Sequence, residues 1–324
     1  MSIVSELFDK VLEGGTVSRE EALLLSEAPL EELCAGADRL RAHFCGNGFD
    51  LCTIVNGKCG RCSEDCKYCA QSAHYQTTCT ETYPLLSTEE LVAGAKANEA
   101  QGVLRYSIVT SGKRLSDREV DRACESIRAI RAETGIGVCV SFGLLNEEQF
   151  RRLKEAGASR VHCNLESSPR YFPSVCTTHS FEEKVETLKA AKRAGLSICS
   201  GGIMGLGETM ADRIDLALTA RALEVKSVPV NLLNPIPGTP YEHNPVLSNG
   251  EMCRIVAVFR FLIPDASIRL AGGRGLLPDK GEACFRSGAN AAISGDMLTT
   301  SGITTRTDLA LLGRLGYVPR LWDK

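Results

Sequence analysis

LCTIVNGKCGRCSEDCKYCAQSAH, residues 51–74, joins a short apolar run to a cysteine-rich loop. LCTIVN (51–56) reads as a strand. The loop after it carries Cys62, Cys66 and Cys69 in a C-x3-C-x2-C spacing. Three thiolates this close suit one iron each of a 4Fe–4S cubane, a cluster type held by Cys thiolates. The fourth iron then lacks a protein ligand and is open to a small molecule offering an amine and a carboxylate. The competing reading is a structural zinc ion, which wants a fourth ligand, commonly from paired C-x2-C units. Cys59 makes C-x2-C with Cys62, so spacing alone leaves zinc open.

Outward from this stretch the pattern repeats. Apolar runs follow at RYSIVT (105–110), GVCVSF (137–142), RVHCNL (160–165), SICSGG (197–202), VPVNLL (228–233), SIRLAG (267–272) and NAAISG (290–295). Helical periodicity fills the gaps: Thr88–Gln101, Asp117–Thr134, Glu147–Ala156, Phe181–Ala194, Met210–Leu223, Gly250–Leu262 and Asp279–Ser287. Gly102, Gly135, Gly157 and Gly195 stand as helix stops. Strand–helix units in series, without a low-complexity linker, predict a (β/α)8 barrel of the TIM type. The alternative is a doubly wound open sheet, but no G-x-G-x-x-G follows an early strand. Barrel chemistry collects at the carboxyl ends of the strands, and the cysteine loop leaves the first strand at that end. The first 45 or so residues read as helices, with a capping box at Ser18–Glu21 and periodicity from Ala22 to Phe44. The expected division is an N-terminal helical extension over 1–45 and a barrel over 46–324.

At 324 residues, 44% hydrophobic and 24% charged, the composition is that of an ordinary globular protein. A net charge of -3 gives no reason to expect nucleic acid. No apolar run is long enough for a membrane span. The N-terminus, MSIVSELFDKVLEGG, is acidic and amphipathic rather than a secretory signal, so a cytoplasmic location is expected. Fifteen cysteines in a reducing compartment favour metal or catalytic use over disulfides. Cys124, Cys253 and Cys284 lie in helix-like segments and read as small core residues.

Several strands carry unusual candidates for the barrel interior: Cys52, Cys139, Asn164, Cys199, Asn231 and Arg269. Val, Ile and Leu normally fill that space. A buried Arg269 needs a partner or an anionic ligand; the cysteines alone could be core fillers. CSGGIMGLGET (199–209) has glycines that would let a ligand approach the backbone. NPIPGTPYE (234–242) is a rigid loop that could line a pocket. Ordinary turn chemistry accounts for either as well.

Taken together, CSEDCKYCAQS (62–72), CSGGIMGLGET (199–209), SVPVNLLNPIPGTP (227–240), RLAGGR (269–274) and GANAAISGDMLTT (288–300) resemble the biotin synthase family of radical S-adenosylmethionine enzymes. The resemblance covers roughly Phe44 to Gly316. It implies a barrel, usually a homodimer, that inserts sulfur into dethiobiotin between C6 and C9. It implies a 4Fe–4S cluster on Cys62, Cys66 and Cys69 that cleaves S-adenosylmethionine, reduced by a flavodoxin- or ferredoxin-type donor. It places Tyr68, Asn164, Glu166, Lys184, Gly201 and Gly202 at S-adenosylmethionine, and Asn164, Asn231, Thr299 and Thr300 at dethiobiotin. Glu166 replaces a commoner Asp, and Lys184 a commoner Arg.

A deeper auxiliary cluster, 2Fe–2S in the family, would take Cys139, Cys199 and Arg269. The family's cysteine on the second strand is Ser107 here, while Cys52 stands in place of a common Ser and Cys59 lies on the loop. Thiolates from Cys52, Cys139 and Cys199 would suit a four-iron auxiliary cluster with one distinctive iron carrying an extra sulfide. The alternative keeps the two-iron cluster with Ser107 as an alkoxide ligand. Rival functions are another radical S-adenosylmethionine activity, a maturase or mutase, and a non-catalytic iron–sulfur scaffold or sensor. No catalytic His or acid–base pair is expected.

Overall fold

In the computed structural model, which describes residues 2–79 and 81–322, each apolar run forms a parallel strand. Met1, Asp323 and Lys324, the ends of the expected 1–45 and 46–324 division, lie outside the described residues. The strands are β1 (Gly48–Lys58), β2 (Arg105–Thr110), β3 (Gly137–Ser141), β4 (Arg160–His162), β5 (Ser197–Cys199), β6 (Gly202–Met204), β7 (Ser227–Leu232), β8 (Ser267–Leu270), β9 (Ala291–Ser294) and β10 (Val318–Pro319). Neighbours pair in chain order from β1 to β9, and β9 pairs back onto β1, which closes the sheet. β5 and β6 are two halves of one stave interrupted at Ser200–Gly201, and both pair with β7. Eight staves result, so the expected (β/α)8 barrel is the fold. β10 adds beside the start of β1, at Gly48 and Phe49.

The helices are α1 (Ile3–Leu12), α2 (Arg19–Ser26), α3 (Leu30–Cys45), α4 (Thr88–Ala100), α5 (Asp117–Glu133), α6 (Glu147–Ala156), α7 (Phe181–Arg193), α8 (Met210–Ala222), α9 (Asn249–Leu262), α10 (Glu282–Phe285) and α11 (Thr305–Arg314). One local device starts most of them. A Ser, Thr or Asn side chain accepts from the third helical amide while an acid or Gln there reaches back: Ser87–Glu90, Ser116–Glu119, Asn146–Gln149, Ser180–Glu183, Thr209–Asp212 and Ser248–Glu251 repeat the box at Ser18–Glu21. The loops after the strands are therefore pinned where they meet the next helix.

Three expectations change. The periodic stretch from Ala22 to Phe44 is broken at Pro29, which stands as N-cap of α3 and cannot donate into a continuous helix. The helix expected over Asp279–Ser287 shrinks to α10: Gly281 turns left-handed, and the Asp279 carboxylate accepts from the amides of Gly281 and Ala283 instead. Gly102, Gly157 and Gly195 take the left-handed conformation of a helix stop, but α5 ends through an extended Thr134 and Gly135 does not. α11 follows the last stave unanticipated.

Outward strand residues such as Ile108, Val140, Val161, Ile198, Val228 and Ile268 pack with helix residues such as Leu91, Ile127, Leu153, Leu188 and Ile214 in one core. Cys124, Cys253 and Cys284 are buried in it, as expected. α3 packs on α9, and α2 on α8, so the leading helices lie against the barrel's outer layer. Among the described residues no helix is long and apolar enough to cross a membrane.

The inside of the barrel is polar. Asp50 on β1 is 1% exposed and meets three guanidiniums: Arg269 Nη2 at 3.1 Å, Arg160 Nη1 at 3.4 Å and Arg105 Nη2 at 4.0 Å. Burial alone would raise the Asp50 pKa; the three arginines, Arg269 foremost, hold it below the usual range. Breaking a buried ion pair from one side strands the charges left behind. Asp50→Asn is therefore expected to destabilise the fold by about 3–5 kcal/mol. Glu133→Gln, which breaks an exposed pair with Lys96, should cost no more than about 1 kcal/mol. Denaturant midpoints of the two cluster-free variants check the contrast.

Candidate active site

A cavity of about 400 Å³ runs from the loop after β1 into the barrel. Cys62, Cys66 and Cys69 line its mouth. The loop is folded back on itself: the amide of Cys62 donates to Gln71 O (2.9 Å), Ala73 to Cys62 O (2.8 Å) and Cys69 to Cys66 O (3.0 Å). The Gly112 amide, after β2, donates to Cys62 Sγ at 3.2 Å. Burial pushes the Cys69 thiol up to about 11, so its thiolate form calls for the positive charge of bound metal.

Among the described residues, the trio of Cys, His or acidic ligand atoms lying within 4.8 Å of one another is Cys66, Cys176 and His179, not Cys62, Cys66 and Cys69. Thiolates on one tetrahedral zinc, with bonds of ~2.3 Å, stand only about 3.8 Å apart. The wider triad fits a multi-iron cluster better than a single ion. Cys59 is drawn away from it: its backbone bridges Tyr83, and its Sγ lies 4.0 Å from Cys79 Sγ.

One flank of the cavity holds Tyr68, Asn164, Glu166 and Lys184. Tyr68 OH donates to Glu166 Oε1 at 2.9 Å, while Glu166 Oε2 is buried without a partner among the described residues. Glu166 also sits at φ 70, a conformation costly for a residue with a side chain. A strained residue with one unused acceptor suits a ligand hydroxyl. Asn164 Oδ1 accepts from the Gly201 amide at 3.1 Å, which leaves its amide nitrogen for another acceptor. Lys184 is buried and makes no hydrogen bond among the described residues; its ammonium lies 5.7 Å from the Phe172 ring centroid.

Gly201 and Gly202 are not among the residues that line the cavity. A Cβ on Gly201 would lie 1.9 Å from Pro229 O, and one on Gly202 2.4 Å from Glu166 O. Their small size serves the close approach of neighbouring staves, and their backbones touch cavity-lining residues: the Gly201 amide donates to Asn164 Oδ1, Gly201 O accepts from the Glu166 amide and Gly202 O accepts from Asn231 Nδ2.

The floor brings together Cys52, Ser107, Cys139, Cys199 and Arg269, all cavity-lining. Arg269 Nη1 is 3.0 Å from Cys52 Sγ and donates to Ala292 O at 2.9 Å. Ser107 stands in register with Cys139 across β2 and β3. Cys199 faces His162 Nδ1 at 3.5 Å and Ser227 Oγ at 3.2 Å. The environments differ in effect. Burial drives the Cys52 thiol up to about 12 despite Arg269. Burial also opposes the Cys199 thiolate, but the His162 hydrogen bond and nearby cations bring that thiol down to about 6. On the remaining wall Asn231 donates to Gly202 O (3.0 Å) and accepts from the Gly272 amide (2.8 Å), and Thr299 and Thr300 complete the rim.

Residues outside the sequence reading also belong here. His162 is two places beyond Arg160 on β4, and strand alternation would have found it. Asp50 stands two places before Cys52 in the same way. Glu64, Cys176 and His179 come together across two loops, and no local pattern announces that.

The comparisons with known proteins agree with this geometry. The Radical SAM superfamily matches residues 58–220, and the Biotin and Thiamin Synthesis associated domain matches 229–318. A biotin synthase of Akkermansia muciniphila is 59% identical over 99% of this chain and 100% of its own length. Biotin synthase 2 of Corynebacterium diphtheriae is 55% identical over 99% and 97%. Among solved structures, methylornithine synthase (PylB) superposes with a TM-score of 0.83 at 21% identity, over 98% of both chains, a likeness of fold alone. The chain belongs to the biotin synthase family of the radical S-adenosylmethionine superfamily.

Proposed function

We propose that this protein converts dethiobiotin to biotin by radical insertion of sulfur between C6 and C9. The observation that carries the reading is one cavity with two separate thiol sets, the triad at its mouth and Cys52, Cys139 and Cys199 at its floor. The triad would hold a 4Fe–4S cluster through Cys62, Cys66 and Cys69, and the spread of those sulfurs fits it. With S-adenosylmethionine bound, that cluster would supply the electron for cleavage of the sulfonium C–S bond, the source of a radical able to take hydrogen from an unactivated carbon.

The protein's own part is to bind, orient and exclude. The unpartnered Glu166 Oε2, steadied by Tyr68 on the other oxygen, would accept from a ribose hydroxyl. Lys184 would meet the methionine carboxylate. Asn231 keeps one N–H and one lone pair after its two backbone bonds, enough to meet a ureido group as both donor and acceptor. Thr299, Thr300 and Asn164 would complete the dethiobiotin contacts, with Gly201 and Gly202 setting the backbone behind them.

For the floor we favour Cys52, Cys139 and Cys199 as ligands of a four-iron auxiliary cluster whose distinctive iron would carry an extra sulfide. Supporting this over a two-iron cluster with a Ser107 ligand, Cys52 lines the floor together with Cys139 and Cys199, and Arg269 lies against Cys52 and Asp50. Arg269 then serves as a donor to a cluster thiolate. We also take the protein to be a cytoplasmic homodimer, reduced by a flavodoxin- or ferredoxin-type donor, with residues 1–45 as an extension of the barrel domain.

Anaerobic assay with dethiobiotin, S-adenosylmethionine and a flavodoxin-type reductant should yield biotin with release of 5′-deoxyadenosine, and Cys66→Ala should abolish both. Cleavage of S-adenosylmethionine with dethiobiotin left intact would point to a maturase or mutase instead. Asn231→Ala is expected to weaken dethiobiotin by roughly 1–3 kcal/mol, the cost of stranding a buried polar partner. An unchanged dethiobiotin affinity would remove Asn231 from the site. Cys52→Ser should lose the auxiliary iron while keeping S-adenosylmethionine cleavage, because hydroxyl is a poorer ligand than thiolate for iron–sulfur iron. Ser107→Ala should change little. Iron and sulfide counts with Mössbauer spectra read both variants, and the opposite pattern would establish the two-iron site.

A further inference from the structure

Behind the mouth, two loops clasp each other. Glu64 and Asp65, between the first two triad cysteines, face the segment from Cys176 to His179 in the loop after β4. Asp65 Oδ1 accepts from the amides of Thr177 (2.8 Å) and Thr178 (3.2 Å). Glu64 Oε2 accepts from Thr178 Oγ1 at 2.8 Å and lies 2.6 Å from His179 Nδ1. The clasp draws Cys176 onto Cys66. Their Sγ atoms are 3.7 Å apart, and Cys176 Sγ is 3.3 Å from His179 Nδ1.

These two distances are near the edge lengths of a metal tetrahedron, and the ligand atoms of Cys66, Cys176 and His179 all lie within 4.8 Å of one another. Two thiolates on one ion with bonds of ~2.3 Å stand about 3.8 Å apart, and a thiolate and an imidazole nitrogen about 3.5 Å apart. Donors for the fourth corner are at hand in Glu64 Oε2 and in Asp65 Oδ1, 3.1 Å from Cys176 Sγ. The His179 and Glu64 side chains are 6% and 7% exposed, and His179 Nε2 is buried without a partner among the described residues. Glu64, Cys66 and His179 line the cavity, which gives an ion a route in; Lys184, on the same wall, is the cation it would meet.

We propose that the cluster-free chain holds a single thiophilic divalent cation, of the zinc or ferrous class, on Cys66, Cys176 and His179. Thiolate and imidazole donors suit such ions. Cys66 belongs to both this trio and the triad, so the single ion and the S-adenosylmethionine-cleaving cluster exclude each other. The ion marks the chain awaiting its cluster. The exclusion rests on the triad reading above; the site itself does not.

Cobalt(II) is the probe, titrated anaerobically into full-length chain stripped of iron. One equivalent should develop sulfur-to-cobalt charge transfer and the intense visible bands of a tetrahedral site. Cys176→Ala and His179→Ala should lose these bands, and Cys62→Ala and Cys69→Ala should keep them. Bands that persist in Cys176→Ala, or that vanish in Cys62→Ala, overturn the proposal, because the ion would then sit on the triad. X-ray absorption of the parent gives a check that needs no variant: two sulfurs per cobalt are expected, and three or none would sink the assignment. Chain with its cluster rebuilt should take no cobalt. If it does, while the variants behave as expected, the assignment of Cys66 to the cluster fails and the single-ion site stands.

Discussion

A carboxylate inside a barrel cannot stay charged without partners, and Asp50 has three. Arg105 on β2, Arg160 on β4 and Arg269 on β8 converge on it from separate staves. A TIM barrel usually fills this space with branched aliphatic layers. Here the ion cluster ties four staves at one point and gives the inner surface its charge. The thiols of Cys52, Cys139 and Cys199 stand beside it. Guanidinium charge favours thiolate over thiol, so the same arginines that anchor the fold act against the burial of these thiols. Arg269 links the two roles, reaching Asp50 through Nη2 and Cys52 through Nη1.

The mouth is built on the opposite principle. The triad loop has no strand of its own to hold it and depends on neighbours. The Gly112 amide binds one triad sulfur, Tyr68 ties the loop to Glu166, and Glu64 and Asp65 clasp the loop after β4. Loops from β1, β2 and β4 are thereby locked at one rim, above a floor fixed by the staves. The wall between mouth and floor carries Asn231, Thr299 and Thr300, polar groups that face the same cavity as both thiol sets.

At the floor, β1 and β2 are paired with Ile54 opposite Ser107 and Cys52 opposite Arg105, and Ser107 is in register with Cys139 on β3. Cys52, Ser107 and Cys139 therefore line one part of the barrel from three adjacent staves.

Much of this was legible in the chain alone. The alternation of apolar runs and amphipathic helices determined the barrel, because period and order are local properties that survive into the fold. C-x3-C-x2-C marked three thiols that the structure places at the mouth of one cavity, because they are close in sequence. Cys52, Cys139, Cys199 and Arg269 stood out because such residues are rare on barrel strands. Tertiary structure alone decided the rest. The convergence of Arg105 and Arg160 on Asp50 depends on stave register across closure. The meeting of Cys66 with Cys176 and His179, more than 100 residues away, depends on two loops that share a rim. The close approach of Gly201 to Pro229 O and of Gly202 to Glu166 O is likewise a matter of neighbouring staves. Sequence records which groups are present and how they are spaced along the chain; distances between strands and between loops are set by packing, and no local pattern encodes them.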